Sequence, residues 1–182
     1  GHVVLTIINR HSQGIEVIND WNGFGQRTTS SGTIILDQVE VDPFLIFDER
    51  ILAQATNYRG AFSQLLQVAI DVGIAEAAFA DTLSTVSKAR PIIDANVDKA
   101  SFEHYTLQEV GRSQILLDAA ILLLDEAADY LDELDALGKV SAEQAGLASI
   151  KVAEAKIYAN DAALLISEKL LELGGSRSSL SE

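Results

Sequence analysis

The stretch that decides the fold is Asp-Trp-Asn-Gly-Phe-Gly-Gln-Arg-Thr-Thr-Ser-Ser-Gly-Thr-Ile-Ile-Leu-Asp-Gln-Val-Glu-Val-Asp-Pro, residues 20–43. It opens with a turn marked by two glycines, continues through a polar run, and becomes apolar and β-branched from Thr33. The apolar run stops before Pro43, which has no N–H to donate to a sheet. The pattern therefore predicts a loop and then a strand over residues 33–37 that continues through Val41.

Two further strands are predicted before this stretch, over Val3 to Asn9 and Ile15 to Ile18, with a glycine-containing turn between them. Three or four strands in about 43 residues are too few to form a stable sheet alone. The chain also starts with Gly-His and contains no Met. We therefore expect it to be a fragment of a longer protein that supplies the missing strands.

The rest of the sequence predicts three long helices, because apolar and small residues recur at steps of three and four. They cover residues 51–88, 102–137 and 141–173. Their ends carry recognisable signals: Pro91 follows the first, Gly138 caps the second, and the sequence Ser141-Ala-Glu-Gln forms a capping box at the start of the third. Long helices joined by short loops predict an antiparallel, up-down arrangement.

These patterns together predict a mainly α protein, an up-down helical bundle preceded by a few antiparallel β-strands. Residues 1–47 are expected to be the C-terminal part of a β-domain, and residues 48–182 an incomplete helical bundle domain. In the first helix the residues that recur at helical steps include Phe62 and Leu66, and in the second helix those expected to face the core include Leu107 and Ile115.

Composition excludes several classes of partner. The formal net charge is −14, which argues against nucleic acid and against anionic lipid, since both require clustered Lys and Arg. No uninterrupted apolar run approaches the roughly 20 residues that span a bilayer, so no membrane association is expected. The absence of Cys excludes disulfides and thiolate metal sites. We expect a cytoplasmic protein.

Two groups of residues resemble the acyl-CoA dehydrogenase superfamily. Residues 20–43 have the spacing G-x-G-x-R-x-x-x-S, a strand, and V-x-V-x-P, which resembles the end of that family's middle β-domain. The third helix has A-x-A-K-x-x-A-x-x-A from Ala153 to Ala162 and ends at Gly174-Gly175, which resembles the family's A-x-A-K-x-x-A…G-G signature. The resemblance covers essentially the whole chain and implies the C-terminal half of a family member, with further helices after Glu182.

Within the superfamily the chain resembles the flavin-dependent monooxygenase branch, which includes dibenzothiophene monooxygenase and the sulfur-acquisition oxidoreductases. Asp20–Gly23 matches its D-W-[DN]-G, Lys88–Pro91 its x-A-R-P, and Glu172–Arg177 its E-[LV]-x-G-[AS]-R. Dehydrogenases usually have Gln where this chain has Leu171. Some carry their catalytic Glu on the first bundle helix, where the alignment places Ser63.

The resemblance implies a monooxygenase that uses reduced FMN to oxygenate a small organosulfur or related compound. It implies that Arg90 and Arg177 bind the FMN phosphate, one of them from a neighbouring subunit, beside the turn Gly174-Gly175. A guanidinium suits this role because its planar fork of donors matches a pair of phosphate oxygens. No residue of the chain is identified as the catalytic base.

Weaker candidates for a substrate pocket are Trp21, Arg27, Thr29 and Ser63. The alternative is that the polar residues near Arg27 form a hydrogen-bonded turn and that Trp21 is a packing aromatic. The acidic run from Asp125 to Asp135 lacks E-x-x-H spacing and is interpreted as a solvated helix face, so no metal site is expected.

Two alternative functions stay open at this point. One is an FAD-dependent acyl-CoA dehydrogenase, and the other is a non-catalytic helical domain that serves oligomerisation. By resemblance the protein is expected to form a homotetramer and to receive reduced flavin from a separate flavin reductase. The chain alone is expected to be inactive and to bind flavin weakly, because the flavin contacts of the N-terminal half are missing.

Overall fold

The structure is a computed structural model that describes residues 4–48, 56–175 and 178. Its contacts divide the chain into two compact units, Gly1–Ala55 and Thr56–Glu182. The sequence placed the corresponding boundary between residues 47 and 48. Each unit is described separately below.

Residues 4–48 of the first unit contain four short strands: β1 (Val4–Thr6), β2 (Ile15–Ile18), β3 (Thr33–Leu36) and β4 (Ile46–Asp48). They form two separate antiparallel pairs. In the first pair β1 lies beside β4, with Val4 opposite Asp48. In the second pair β2 lies beside β3, with Ile15 opposite Leu36. The predicted antiparallel strands are present, but they form two separate two-stranded sheets and not one larger sheet.

The sequence misplaced two features of this unit. The strand predicted to reach Val41 ends at Leu36, because Gln38 adopts a φ of +47° that breaks the extended conformation. Pro43 does not end the β-structure. The carboxylate of Asp42 accepts a hydrogen bond of 2.9 Å from the Phe44 N–H and caps a short 3₁₀ turn, after which β4 begins.

The second unit is the predicted up-down bundle, formed by α1 (Arg59–Lys88), α2 (His104–Leu137) and α3 (Ala142–Gly174). The helix predicted from about residue 51 begins later, since residues 56–58 are not helical. The cause is local: the Asn57 side chain accepts a hydrogen bond of 3.1 Å from the Arg59 N–H and forms a turn before the helix. Residues 49–55 lie outside the described part of the chain.

The predicted helix-end signals on both sides of the α2–α3 connection are confirmed. Gly138 has a φ of +70°, the left-handed conformation that favours glycine at a helix C-terminus. Ser141 and Gln144 form a complete capping box, in which each side chain accepts a hydrogen bond from the other residue's backbone N–H.

The core of the bundle is a stripe of small and branched residues along α3. Its members are spaced by four and three residues and are at most 1% exposed: Ala148, Val152, Ala155, Ala159, Ala162 and Ile166. Alanine leaves little side chain between two helices, so α1 and α3 pack closely and share the most extensive contact in the unit. Lys156 of the predicted A-x-A-K signature donates a hydrogen bond to Gln64 of α1.

Two residues of α2 that were expected in the core, Leu107 and Ile115, are 55% and 70% exposed instead. Phe62 and Leu66, from the apolar repeat of α1, are also exposed, at 52% and 53%. The helices are apolar on more than one face, and periodicity alone does not say which face a three-helix core uses. By length and composition, α1 could even cross a membrane, a test that core helices of soluble proteins also pass.

Candidate functional site

A cleft of about 1060 Å³ lies at one end of the bundle, within the second unit. It forms where the C-terminal ends of α1 and α3 meet the N-terminal end of α2, as the up-down arrangement requires. Its walls come from residues of three segments, 84–92, 100–106 and 172–175, and from Ser178. The volume is at the upper end of what ligand pockets usually have, roughly 300–1,000 Å³.

Arg90 lines this cleft just after the end of α1. It is exposed and has no hydrogen-bond or ion-pair partner among residues 4–48, 56–175 and 178. Its loop is anchored by Glu103, whose carboxylate accepts hydrogen bonds from the Ile92 N–H at 2.7 Å and from the Thr106 hydroxyl at 3.2 Å. Glu103 thus fixes the backbone near Arg90 while the guanidinium stays available for a ligand.

The turn Gly174-Gly175 also lines the cleft, and the two glycines are needed for different reasons. A Cβ on Gly174 would lie 2.8 Å from the Ser178 Cβ and 3.0 Å from the Thr85 Cγ2, so a side chain there would clash with Ser178 and crowd Thr85 of α1. Gly175 has φ +62° and ψ −153°, a conformation essentially restricted to glycine. The Ser178 hydroxyl completes the turn, within 3.1 Å of the Leu171 carbonyl and 2.6 Å of the Gly175 carbonyl.

A network of charged and polar side chains supports this wall. Lys169 Nζ lies 2.7 Å from Glu172 Oε2 and 3.0 Å from Glu109 Oε2. The Tyr105 hydroxyl donates a hydrogen bond to Glu172. Glu109 and Lys169 are largely withdrawn from solvent, since their side chains are only 9% and 17% exposed. The network therefore joins the first turns of α2 to the last turns of α3.

The network moves the pKa values of three of its members. The Lys169 ammonium and the Tyr105 hydroxyl lower the pKa of Glu172, because both donate to its ionised form. The pKa of Tyr105 is raised, because its proton is held by Glu172. The pKa of Lys169 is raised by hydrogen bonds to Glu172 and Glu109. At neutral pH the network thus contains one ammonium, ionised Glu172 and a protonated phenol.

The helix ends bring more negative than positive partial charge to the cleft. Two of the three helices point their C-terminal, negative ends at it, and only α2 contributes a positive N-terminal end. Glu103 and Glu172 add two carboxylates to the walls, against the cations Lys88 and Arg90. An anionic ligand would therefore gain little from helix dipoles and would depend on the guanidinium of Arg90.

The structure thus brings together three of the four residues predicted to bind a cofactor: Arg90, Gly174 and Gly175 all line the cleft. Arg177 lies outside the described residues, and its role stays a prediction. Ser63 is exposed on α1 and does not line the cleft.

The other weak candidates lie in the loop of residues 20–33 of the first unit. Trp21 Nε1 and the Thr29 hydroxyl both donate to the Gln26 carbonyl, at 2.9 and 2.8 Å. Arg27 is exposed beside them. The loop is closed at its base by Asp20, which accepts hydrogen bonds from the N–H and hydroxyl of Thr33 at 2.8 and 2.7 Å. The polar residues thus form the hydrogen-bonded turn that was the alternative interpretation, and a role in binding substrate stays a prediction.

Sequence reasoning missed the supporting residues Glu103, Tyr105 and Lys169. The partners of Tyr105 are 64 and 67 positions away in sequence, on another helix, so no spacing rule could join them. Among the described residues, no group of three or more His, Asp or Glu side chains is placed to hold a metal ion.

Comparison with known proteins agrees with the family resemblance found in the sequence motifs. Dibenzothiophene monooxygenase of Rhodococcus erythropolis is 31% identical over 189 residues, which cover 97% of this chain and 45% of the relative. The probable FMNH2-dependent monooxygenase SfnC of Pseudomonas putida is 28% identical over 181 residues, 97% of this chain and 46% of the relative. The chain thus spans somewhat less than half the length of these relatives.

The structure of TdsC from Paenibacillus sp. A11-2 in complex with FMN and indole superimposes with a TM-score of 0.92 at 28% identity. The superposition covers 100% of this chain and 48% of TdsC. Residues 65–182 match the family described as acyl-CoA dehydrogenase, C-terminal domain. The chain is therefore a member of the acyl-CoA dehydrogenase superfamily, with relatives among its flavin-dependent monooxygenases.

Proposed function

We propose that this chain is the C-terminal half of a monooxygenase that uses reduced FMN to oxygenate a small organosulfur or related compound. The observation that carries the proposal is the cleft in which Arg90, without a partner among the described residues, faces the glycine turn of α3. The relatives named above support the choice of FMN and of the reaction class.

The residues of the cleft fit the phosphate end of a flavin mononucleotide. Arg90 supplies the charge and the fork of donors, and the lining hydroxyls of Ser84 and Thr85 can add neutral hydrogen bonds. Reduced flavin supplies the reaction with oxygen when bound. The contribution of this chain is to bind the phosphate, to hold the glycine turn in place and to form part of the wall that excludes water.

The proposal is tested with the complete protein, purified and supplied with reduced FMN under air. Dibenzothiophene and methanesulfinate serve as trial substrates, and the oxygenated product is measured by chromatography and mass spectrometry. Incorporation of one labelled oxygen atom from molecular oxygen supports the monooxygenase. Dehydrogenation of an acyl-CoA with tightly bound FAD would support the alternative dehydrogenase instead. A protein that takes up neither flavin would be a non-catalytic oligomerisation domain.

We also propose that the complete protein is a homotetramer. The helices leave apolar residues uncovered: on α1, Phe62, Leu66, Ile70 and Ile74 repeat every fourth residue and are 48–54% exposed. Apolar stripes of this kind usually mark an interface. Light scattering should give four times the subunit mass at micromolar concentration, and a strictly monomeric mass would contradict the proposal.

Two further proposals concern the source of the reduced flavin and the flavin binding of the 182-residue chain by itself. Because the reaction consumes reduced flavin, we propose that a separate flavin reductase provides it in the cytoplasm. Activity should then depend on an added reductase and NAD(P)H when free oxidised FMN is the only flavin present. The chain of 182 residues alone should bind FMN weakly, and tight stoichiometric binding by it would show that the cofactor site is wrongly placed.

A further inference from the structure

The network around Lys169 contains two carboxylates at positions that are unfavourable for a negative charge. Glu172 lies in the last turn of α3, where the negative helix end disfavours a carboxylate, and that turn contains no basic residue. Glu109 is a carboxylate that is only 7% exposed. Replacing a withdrawn ion pair by apolar side chains often leaves stability unchanged or increases it. The charges at this position therefore call for a role other than holding the bundle together.

The contacts of Glu172 indicate what that role is. Its carboxylate is held by Lys169 and Tyr105, while its carbonyl accepts the N–H of Gly175. Glu172 and Tyr105 both line the cleft, whereas Lys169 lies behind them. A side chain that fixes Glu172 therefore also fixes the backbone of the glycine turn, at the wall that faces Arg90.

We propose that Lys169 is a positioning residue for the cofactor phosphate: by holding Glu172 and Tyr105 it keeps the Gly174-Gly175 turn in the geometry that the phosphate requires. This inference rests on the proposed function, because it assumes that the cleft binds the phosphate of FMN. Lys169 itself does not touch the ligand. Its removal should loosen the wall without removing any group that binds FMN.

A second lysine on the same helix provides a matched control. Lys151 is paired with Glu126 of α2, and its Nζ lies 5.7 Å from the centre of the Tyr130 ring. Lys169 Nζ lies 5.8 Å from the centre of the Tyr105 ring. Both lysines join α3 to α2 through a carboxylate and a tyrosine, and their side chains are 23% and 17% exposed. Only Lys169 is next to the cleft.

The test compares Lys169→Met with Lys151→Met in the complete protein. FMN and riboflavin are titrated by fluorescence quenching, and thermal melting is recorded in parallel. Lys169→Met should weaken FMN binding about tenfold and leave riboflavin binding unchanged, since riboflavin has no phosphate. Lys151→Met should change neither affinity. Lys169→Arg, which keeps the charge, should restore most of the FMN affinity.

A second variant covers the case in which Lys169→Met fails to fold because Glu109 keeps only its 3.6 Å contact with Arg112. Tyr105→Phe removes the hydrogen bond to Glu172 without changing the charge of the cleft, and it should also weaken FMN binding selectively. If both cleft variants bind FMN like the wild type, or lose FMN and riboflavin equally, the positioning role is wrong. If the wild type binds no FMN at all, the proposed function fails and this inference fails with it.

Discussion

The loop of residues 20–33 and the cleft at the end of the bundle both carry the family resemblance, but they are built in different ways. The loop is held by hydrogen bonds between residues at most 13 positions apart, all of them exposed. The cleft is held by contacts between helices that span up to 67 positions, part of them withdrawn from solvent. Changes in the loop should therefore act locally, whereas changes in the cleft should reach ligand binding and the stability of the bundle.

The largest effect is expected for Arg90→Ala in the complete protein. Loss of a charge-assisted contact to phosphate costs on the order of 1.5–3 kcal/mol, which weakens FMN binding roughly tenfold to more than a hundredfold. Melting of the apo-protein should hardly change, because Arg90 has no partner in the described structure to lose. The same loss is predicted for Arg177→Ala.

Arg59→Ala is the control for Arg90. This exposed arginine lies at the first residue of α1, about 45 Å from the end that borders the cleft if the helix is straight. The FMN affinity of the Arg59→Ala protein should equal that of the wild type. If the wild type, Arg90→Ala and Arg59→Ala bind FMN with equal affinity, Arg90 does not bind the phosphate. An arginine of the cleft would then behave like an arginine on the surface.

The next effect is that of Gly175→Ala on stability. A side chain at φ +62° and ψ −153° is strained by about 1–3 kcal/mol, unless the turn rearranges. Gly146→Ala is the matched control, because Gly146 is an exposed glycine of the same helix with no atom within 4 Å of the added Cβ. That control should gain about 0.5–1 kcal/mol from helix propensity. Denaturant unfolding measures both values, and a stable Gly175→Ala protein would contradict the strained turn.

A smaller effect should appear when Tyr105 is titrated. Its pKa is raised above 10.0 by the hydrogen bond to Glu172, so the contribution of this bond to stability is complete below pH 10 and is lost as pH rises through the pKa of the folded protein. Phenolate absorbance should show the late titration, and Glu172→Gln should bring it earlier. An unchanged titration in that variant would mean that the bond between the two helices is not formed.

The smallest effect belongs to the loop. The pKa of Asp20 is lowered from 3.8 by its hydrogen bonds to the side chain and backbone of Thr33. Its contribution to stability is therefore present above pH 3.8 and is lost as pH falls through the lower pKa of the folded protein. Asp20→Asn should weaken this acid dependence slightly and leave FMN affinity alone. A large loss of FMN affinity would contradict the local character of the loop.

The features that could be predicted from the sequence depend on interactions between residues close together in the chain. The capping box at Ser141, the glycine cap at Gly138 and the three helices were predicted correctly, because each depends on neighbouring residues. The start of α1 was wrong by several residues, because the turn at Asn57 was overlooked. The end of β3 was wrong because nothing in the sequence requires Gln38 to adopt a positive φ.

The candidate site was predictable only in part, for a related reason. Arg90 and the glycine pair were found through motifs, in which residue types recur at fixed spacing. Tyr105 and Lys169 were missed, because their roles depend on which helix faces touch. Leu107 and Ile115 were assigned to the core for the same reason, since the choice between several apolar faces is made by packing.

The connection between α2 and α3 has a consequence for the order of folding. A glycine that stops one helix and a serine that starts the next lie within four residues, Gly138 to Ser141, whereas residues 89–103 separate α1 from α2. Closing so short a loop costs little chain entropy. The α2–α3 hairpin should therefore form in the folding transition state, with α1 docking later. Ser141→Ala should then slow folding, and truncation of Val68 in α1 should mainly speed unfolding.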